Sequence, residues 1–519
     1  MRKLDDNTLI AFVKKEYKNI PFISQDTADK YLNNFSVSSD QQNSKPTYKL
    51  TDIFNLSKNN HIDVLDFWEQ LLIDAIKYLK WHDPGEFPSK KPMNRENAYD
   101  MISDGSLGII NLKEYFRVFI EFERLLYGAE QFYRDHVYHI IRVWLTGQFI
   151  LKKYINSDFP ICIAEDKYRL ADVRANEKPS SRSSLSRKSN MSFFEGEEDA
   201  IWCIIALTHD LGYPLSKFEK INDRIKKMVS YFAKSGLEEF SFAFPLQNQF
   251  INDAILKYMS SKIVLRNNKR SSNSATSKYK TNIQAKYYLK FSRSFERFDH
   301  GLISCIVLTK NLIYFLETNY DWDPMHDLIG KTEARQFVLR REILRAIASH
   351  TCNEIYYLKP NTFSFLLLLS DELQFWGRPT FDTMATGAQK DYVVTLNKFD
   401  NKNVSFDIKI TGAKDGTKKE SLVGFFKSKV DLFKTVLRIA VDYRQREFSL
   451  KFKICDEANR TYEFESTPFK HPLLKIDGKE IKYDKLRKIA PILTDENKYK
   501  EIQSVYNEYK RSSSKFRGI

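Results

Sequence analysis

Apolar side chains recur at three- and four-residue steps through Leu112, Tyr115, Phe116, Phe119, Ile120 and Phe122, then again through Ile140, Val143, Trp144 and Phe149. This spacing gathers them on one face of a 3.6-residue helix, so residues 112–154 are predicted strongly helical. Residues 1–109 read as helical but irregular, with polar breaks at 36–46 and 82–92. A further buried helix body is predicted at 201–207. Acidic Glu195, Glu197, Glu198 and Asp199 suit its positive N-terminal end, and Gly212 with Pro214 stops it. Helical groups follow at 298–316 and 332–350, and the leucine-rich stretch 361–379 closes the helical part.

Two stretches interrupt this pattern. Residues 171–192 are rich in Ser, Arg and Lys, and 262–297 hold ten Lys or Arg against one Glu. Mobile insertions are expected near 171–195 and 262–290, because too few apolar side chains are present to order them. After Asp382 the period changes from helix to strand. DYVVTLNKF and VSFDIKITG alternate polar with apolar residues around DNKN, which predicts a β-hairpin. A helix is predicted at 421–441 and further strands in REFSLKFKIC and RTYEFES, a β-β-α-β-β order typical of a small α+β unit. The expected division is an N-terminal helical region (1–109), a helical domain (110–385), a C-terminal α+β domain (386–490) and a helical, basic tail (491–519). The fold class expected is mainly α.

Composition narrows the classes. Apolar residues make up 42% of the 519 positions, which excludes wholesale disorder. Apolar stretches such as 363–369 are far short of the roughly 20 residues a membrane span needs, so no membrane association is expected. The N-terminal residues carry charges where a secretory leader would be apolar, and no leader is expected. Five scattered cysteines without CxxC spacing argue against disulfides and against a cysteine zinc site, so a cytoplasmic setting is expected. A formal charge of +15 favours phosphate-bearing partners, from nucleotides to nucleic acid.

Nine histidines can be weighed singly. His136 and His139 lie three apart in one helical stretch. His209 and Asp210 follow a buried helix body, His300 opens a helix, His350 ends one, and Asp371 follows a run of leucines. Each adjoins a strongly apolar segment, and a buried imidazole or carboxylate is costly unless it is paired or binds metal. Mixed nitrogen and oxygen ligands suit Mn, Fe, Co, Ni or Zn, and less specifically Mg. His136 is left out of the expected metal set, while Asp135 is a candidate for orienting His139 or activating water. A second pair, His326-Asp327, has no buried helix body before it and reads as a surface or helix-start pair.

The order His, His-Asp, Asp on successive helices resembles the HD superfamily of metal-dependent phosphohydrolases over residues 110–385. RDHVYHIIRVWLTG carries the match to the first histidine at His139, ALTHDLGYP to His209 and Asp210, and LLLLSDELQFWGRP to the final aspartate at Asp371. The resemblance implies a multi-helical HD core with a divalent metal on His139, His209, Asp210 and Asp371. It also implies His300 and His350 as second-metal or catalytic groups, and metal-assisted hydrolysis of a phosphoester or phosphoanhydride.

Within the superfamily, HDLGYP and DELQFWGR are similar to the deoxynucleoside triphosphate triphosphohydrolase branch. That likeness implies Phe375 and Arg378 near nucleoside and phosphate; Lys217, a few residues past the dyad in HDLGYPLSK, is a separate candidate phosphate contact. The turn after the dyad is shorter than in that branch and lacks its later histidine. A cyclic nucleotide or dinucleotide phosphodiesterase, a nuclease using the basic insertions, and a nucleotide-sensing protein with a structural metal remain alternatives. A homo-oligomer is the expected assembly, and antiviral nucleotide depletion is one biological setting the resemblance allows.

Overall fold

The structure is a computed structural model describing residues 2–35, 48–50, 54, 63–83, 102, 107–129, 134–156, 158–163, 194, 196–232, 246–266, 278–317, 330–352, 360–378, 391–411, 425–426, 428–429, 449–457, 459–466 and 473–480. Strand β1 (Arg2–Leu4) precedes helices α1 (Asp6–Glu16), α2 (Val64–Trp81), α3 (Ile109–Ala129), α4 (Val137–Tyr154), α5 (Glu198–Thr208), α6 (Tyr213–Val229) and α7 (Leu246–Ser260). A hairpin of β2 (Ser261–Arg266) and β3 (Lys278–Ile283) leads to α8 (Ala285–Glu296), α9 (His300–Asn311), α10 (Lys331–Ser349) and α11 (Phe363–Leu373). Strands β4 (Asp391–Phe399), β5 (Asn403–Thr411), β6 (Ser449–Cys455), β7 (Thr461–Ser466), β8 (Leu473–Ile476) and β9 (Lys479–Glu480) follow. The chain is therefore helix-rich with a mixed sheet.

Local chemistry sets the helix ends. Asp5 accepts from the Thr8 amide at 2.7 Å to start α1, and Asp63 accepts from Leu65 at 2.9 Å to start α2. The helical pattern read across 112–154 divides into α3 and α4. Between them the His136 amide donates to Glu123, and Asp135 accepts from the Tyr138 amide at 3.1 Å. Pro214 opens α6 rather than merely ending α5, because its missing N–H is no loss in a first helical turn. At the start of α5, Glu198 and Asp199 occupy the first turn. Glu197 and Asp199 also tie helices together: Glu197 pairs with Arg335 of α10, and Asp199 with Lys152 and Gln148 of α4.

The middle of the molecule is α5, whose residues Ala200–Thr208 are all buried. Indole donors fasten it on two sides: Trp68 donates to the Leu207 carbonyl at 2.9 Å, and Trp202 donates to the Trp144 carbonyl at 3.0 Å. Helices α4, α2, α10 and α11 surround it.

The large sheet runs β1-β4-β5-β6-β7-β8-β9, antiparallel except for β5 with β6. Two differences from the sequence reading stand out. The N-terminal region, read as helical, begins with a strand that pairs Arg2 with Leu396 and Leu4 with Val394. The span 262–290, expected to be a mobile insertion, contains paired strands and the start of α8. Its hairpin sits on α10: the Arg341 guanidinium donates to the Ser261 carbonyl at 3.0 Å and that of Arg345 at 2.8 Å, contacts that composition alone does not show.

The period-two alternation after Asp382 is realised. Phe406, Phe452 and Phe464 point to one face, while Lys451–Glu465 and Lys453–Glu463 form cross-strand ion pairs on the other. Phe426, from the helix read at 421–441, packs on Phe452 and Tyr462 across the apolar face. Phe399 meets Tyr154, Phe159 and Phe365, seating the sheet on α4 and α11. All of 171–192, most of 421–441, the pair His326-Asp327 and the tail 491–519 lie outside the described residues. Among the described residues no helix is long and apolar enough to cross a membrane.

Candidate metal centre

Five segments bring their ends to one point. His139 stands in the first turn of α4 and His209-Asp210 in the turn after α5. His300 opens α9, His350 follows α10, and Asp371 lies in the last turn of α11. The dyad turn is pressed onto α9. Ser304 Oγ donates to the His209 carbonyl and accepts from the Gly212 amide, each at 2.7 Å. A Cβ at position 212 would lie 2.3 Å from the His300 carbonyl, so this approach requires glycine.

The imidazoles are held by their Nδ1 atoms. His139 Nδ1 lies 2.6 Å from Gln374 Oε1, and the Gln374 amide nitrogen already donates to the Trp376 carbonyl at 2.7 Å. Gln374 therefore presents oxygen, and His139 must donate from Nδ1. His209 Nδ1 lies 2.8 Å from the Ala206 carbonyl, and His350 Nδ1 lies against the Ile347 carbonyl, so both donate there too. In neutral rings this leaves all three Nε2 atoms as lone pairs.

Those lone pairs face carboxylates. Asp371 Oδ1 is 2.9 Å from His139 Nε2. Asp210 Oδ2 is 3.3 Å from His209 Nε2 and 3.6 Å from His139 Nε2. Asp210 Oδ1 lies 3.2 Å from His300 Nε2 and 3.7 Å from His350 Nε2. His209 Nε2 is fully buried and makes no hydrogen bond. Electron pairs gathered this closely repel unless a proton or cation lies between them.

Two triads have donor atoms within 4.8 Å of one another: His139, His209 and Asp371, and His209, Asp210 and His350. That spread is near what donors about 2.0–2.2 Å from one ion would show. The residues present therefore fit a divalent metal, with Gln374 and two main-chain carbonyls fixing ring orientation from behind.

Electrostatics agree with this reading. Burial, then Arg378, pushes His139 below the usual histidine range, and burial pushes His350 down. Burial would push His209 down too, but Asp210 and then Asp371 outweigh it and raise it to about 9. His209 in turn holds Asp210 well below the usual carboxylate range against its burial, and His139 does the same for Asp371. Without metal, one protonated imidazole thus balances two carboxylates, leaving the cluster attractive to a cation.

The six expected metal and catalytic residues are together in this cluster, and its open side is legible. His300 is 27% exposed and Asp371 24%, against 0–6% for His139, His209, Asp210 and His350. Arg378 lies alongside, its Nε donating to the Asp135 carbonyl at 2.9 Å. Lys217 rests over the Tyr213 ring, whose other neighbours are His136, stacked at 3.7 Å, and His300.

Phe375 is buried within an aromatic group containing Tyr392 and Phe425, so it packs between the helices and the sheet. His136 is the residue just before α4 and stacks on Tyr213. The expectation that Asp135 orients His139 is not met. Its Oδ2 lies 3.7 Å from Arg142, and Gln374 takes the orienting place. Gln374 was missed in the sequence. Its place three residues past Asp371, in DELQ, was the local signal.

The chain matches none of the protein-family models, curated proteins or solved structures with which it was compared, so the reading of this site rests on its geometry.

Proposed function

We propose that the protein is a metal-dependent phosphohydrolase of the HD kind, acting on a nucleotide and most readily on a (deoxy)nucleoside triphosphate. The observation that carries this reading is the convergence of three imidazole lone pairs and two carboxylates on one point, with His209 Nε2 buried and unbonded. His139, His209, Asp210 and Asp371 would hold the ion, with His350 within reach of the same point. Such an ion supplies Lewis acidity to a phosphoryl oxygen and to the attacking water.

The chain's own groups do the rest. Arg378, beside His139, meets the negative charge of the substrate's phosphates. His300, on the open edge with Nε2 3.3 Å from His350 Nε2 and 3.2 Å from Asp210, is placed to give a proton to the leaving oxygen. The partial exposure of His300 and Asp371 favours a catalytic site over a closed structural one.

A second reading, a two-ion phosphodiesterase, draws on the two donor triads that share His209. Phosphate and product analysis with nucleoside triphosphates, cyclic dinucleotides and single-stranded DNA, with added Mn or Mg, separates these readings. Tripolyphosphate or orthophosphate release supports the first and a linear dinucleotide the second. Shortened strands point to a nuclease. No turnover by metal-loaded protein would refute the enzymatic reading.

A further inference from the structure

The residues after Asp371 form the floor of a second, cationic feature. Phe375 is approached by two cations: Lys429 Nζ lies 4.4 Å from the ring centroid and the Arg134 guanidinium 5.8 Å. Lys429 belongs to the segment between β5 and β6, so the C-terminal part delivers it to the helical part. Phe425 and Tyr392 come with it and pack on the same ring. Arg378, three residues past Phe375, is close enough to Arg134 for the two guanidinium groups to repel, and burial pulls Lys429 down to about 7, with Asp371 opposing that shift and Arg134 adding to it.

Lys429 pairs with Glu372, but among the described residues no carboxylate is ion-paired with Arg134 or Arg378. Lys429 and Glu372 offset one another, which leaves the guanidinium groups of Arg134 and Arg378 as the uncompensated charge among the described residues. Holding like charges together in a half-buried place is unfavourable unless an anion shares it.

We propose that Arg134, Arg378 and Lys429 form an anion-binding rim for the non-reacting phosphates of a polyphosphate substrate, with the C-terminal α+β part supplying Lys429. The proposal rests on the phosphohydrolase reading and narrows it. A phosphomonoester, whose phosphate is engaged at the histidine cluster, has nothing to offer three further cations. A di- or triphosphate chain does, and planar guanidinium groups suit its oxygens in paired hydrogen bonds. Phe375 then serves as the buried platform that sets the height of two of the cations, a role different from stacking on a base.

The test uses the full chain freed of metal by chelation and titrates it calorimetrically with sodium tripolyphosphate and with orthophosphate. Tripolyphosphate is expected to bind at least about tenfold more tightly. Arg134→Gln should remove about tenfold of that affinity and Arg134→Lys less, while Mn binding by the same variants stays at the wild-type level. Arg134 is the residue to change first because among the described residues it has no ion-pair partner whose loss would disturb folding. Equal affinity for the two anions, or an unchanged tripolyphosphate affinity in Arg134→Gln, would overturn the rim. Loss of Mn binding in the wild-type protein, with tripolyphosphate still held, would instead sink the metal reading and leave the rim standing.

Discussion

Replacing Arg142 with Met tests how the metal-bearing helices are held. Arg142 lies three residues after His139 and is 1% exposed. Its Nε and Nη2 donate to the two oxygens of Asp6 at 2.8 and 3.0 Å, and its Nη1 donates to the Gly377 carbonyl at 3.0 Å. Gly377 adopts φ +67, and a Cβ there would lie 2.6 Å from the guanidinium. One side chain thus joins α1, α4 and the turn that follows the Asp371 helix. In Arg142→Met, Asp6 keeps, among the described residues, the Trp376 indole at 2.7 Å and the Leu50 amide at 2.9 Å, both neutral donors.

A buried carboxylate that loses its charged partner typically costs about 3–5 kcal/mol, a large fraction of the ~5–15 kcal/mol that keeps a domain folded. The assay is urea unfolding of metal-free protein, followed by far-ultraviolet circular dichroism and tryptophan fluorescence, which must report the same transition. The double variant with Asp6→Asn should be less destabilised than the sum of the singles by at least about 1 kcal/mol, because the orphaned charge is gone. A loss below about 1 kcal/mol for Arg142→Met, or strict additivity, would refute the reasoning.

Other outcomes follow from the metal cluster. Gln374→Leu removes the acceptor that fixes the His139 tautomer and should weaken Mn binding by about 10–100-fold; because it also strips the buried Trp376 carbonyl and His139 Nδ1–H of this partner, it should lower the unfolding free energy by about 1–3 kcal/mol, measured by calorimetry beside denaturation. Metal binding should also be pH-linked. His209 sits at about 9 in the metal-free protein against an ordinary value of 6.5, and it must shed its proton to bind. Titrations at pH 7 in buffers of different ionisation enthalpy should therefore show about one proton released per ion, and no release would contradict the assignment. The sign for stability is opposite without metal. Protonated His209 stabilises the fold fully below about pH 6.5, and that contribution is lost as pH rises through about 9.

The buried chemistry was readable because each ligand adjoins an apolar run. His209 follows Ile204, Ile205 and Leu207, and Asp371 follows Leu366, Leu367, Leu368 and Leu369, all buried. The strands Asp391–Phe399 and Asn403–Thr411 were readable from alternation alone. The rest depends on contacts between distant segments. Three residues, Arg2–Leu4, are too few to show a period, yet β4 gives them a partner. The β2–β3 hairpin is basic and polar, and its place comes from Arg341 and Arg345 on α10. Lys429 is 58 positions after Asp371, and nothing in its neighbourhood signals that the sheet carries it to Glu372. The resemblance placed Phe375 near a nucleoside, and its packing against Tyr392 and Phe425 depends on the sheet, which its neighbours in the sequence do not reveal. It is buried, with the Arg134 and Lys429 cations over its ring.

The most direct measurement is the Mn retained by the full chain after equilibrium dialysis and elemental analysis, for the wild type beside His209→Gln and Asp371→Asn. Retention of an ion by the wild type at micromolar Mn, with both variants empty but still cooperatively folded, is the expected result. A wild-type protein that holds no ion, or variants that hold as much as it does, would mean that the converging imidazoles and carboxylates serve only one another.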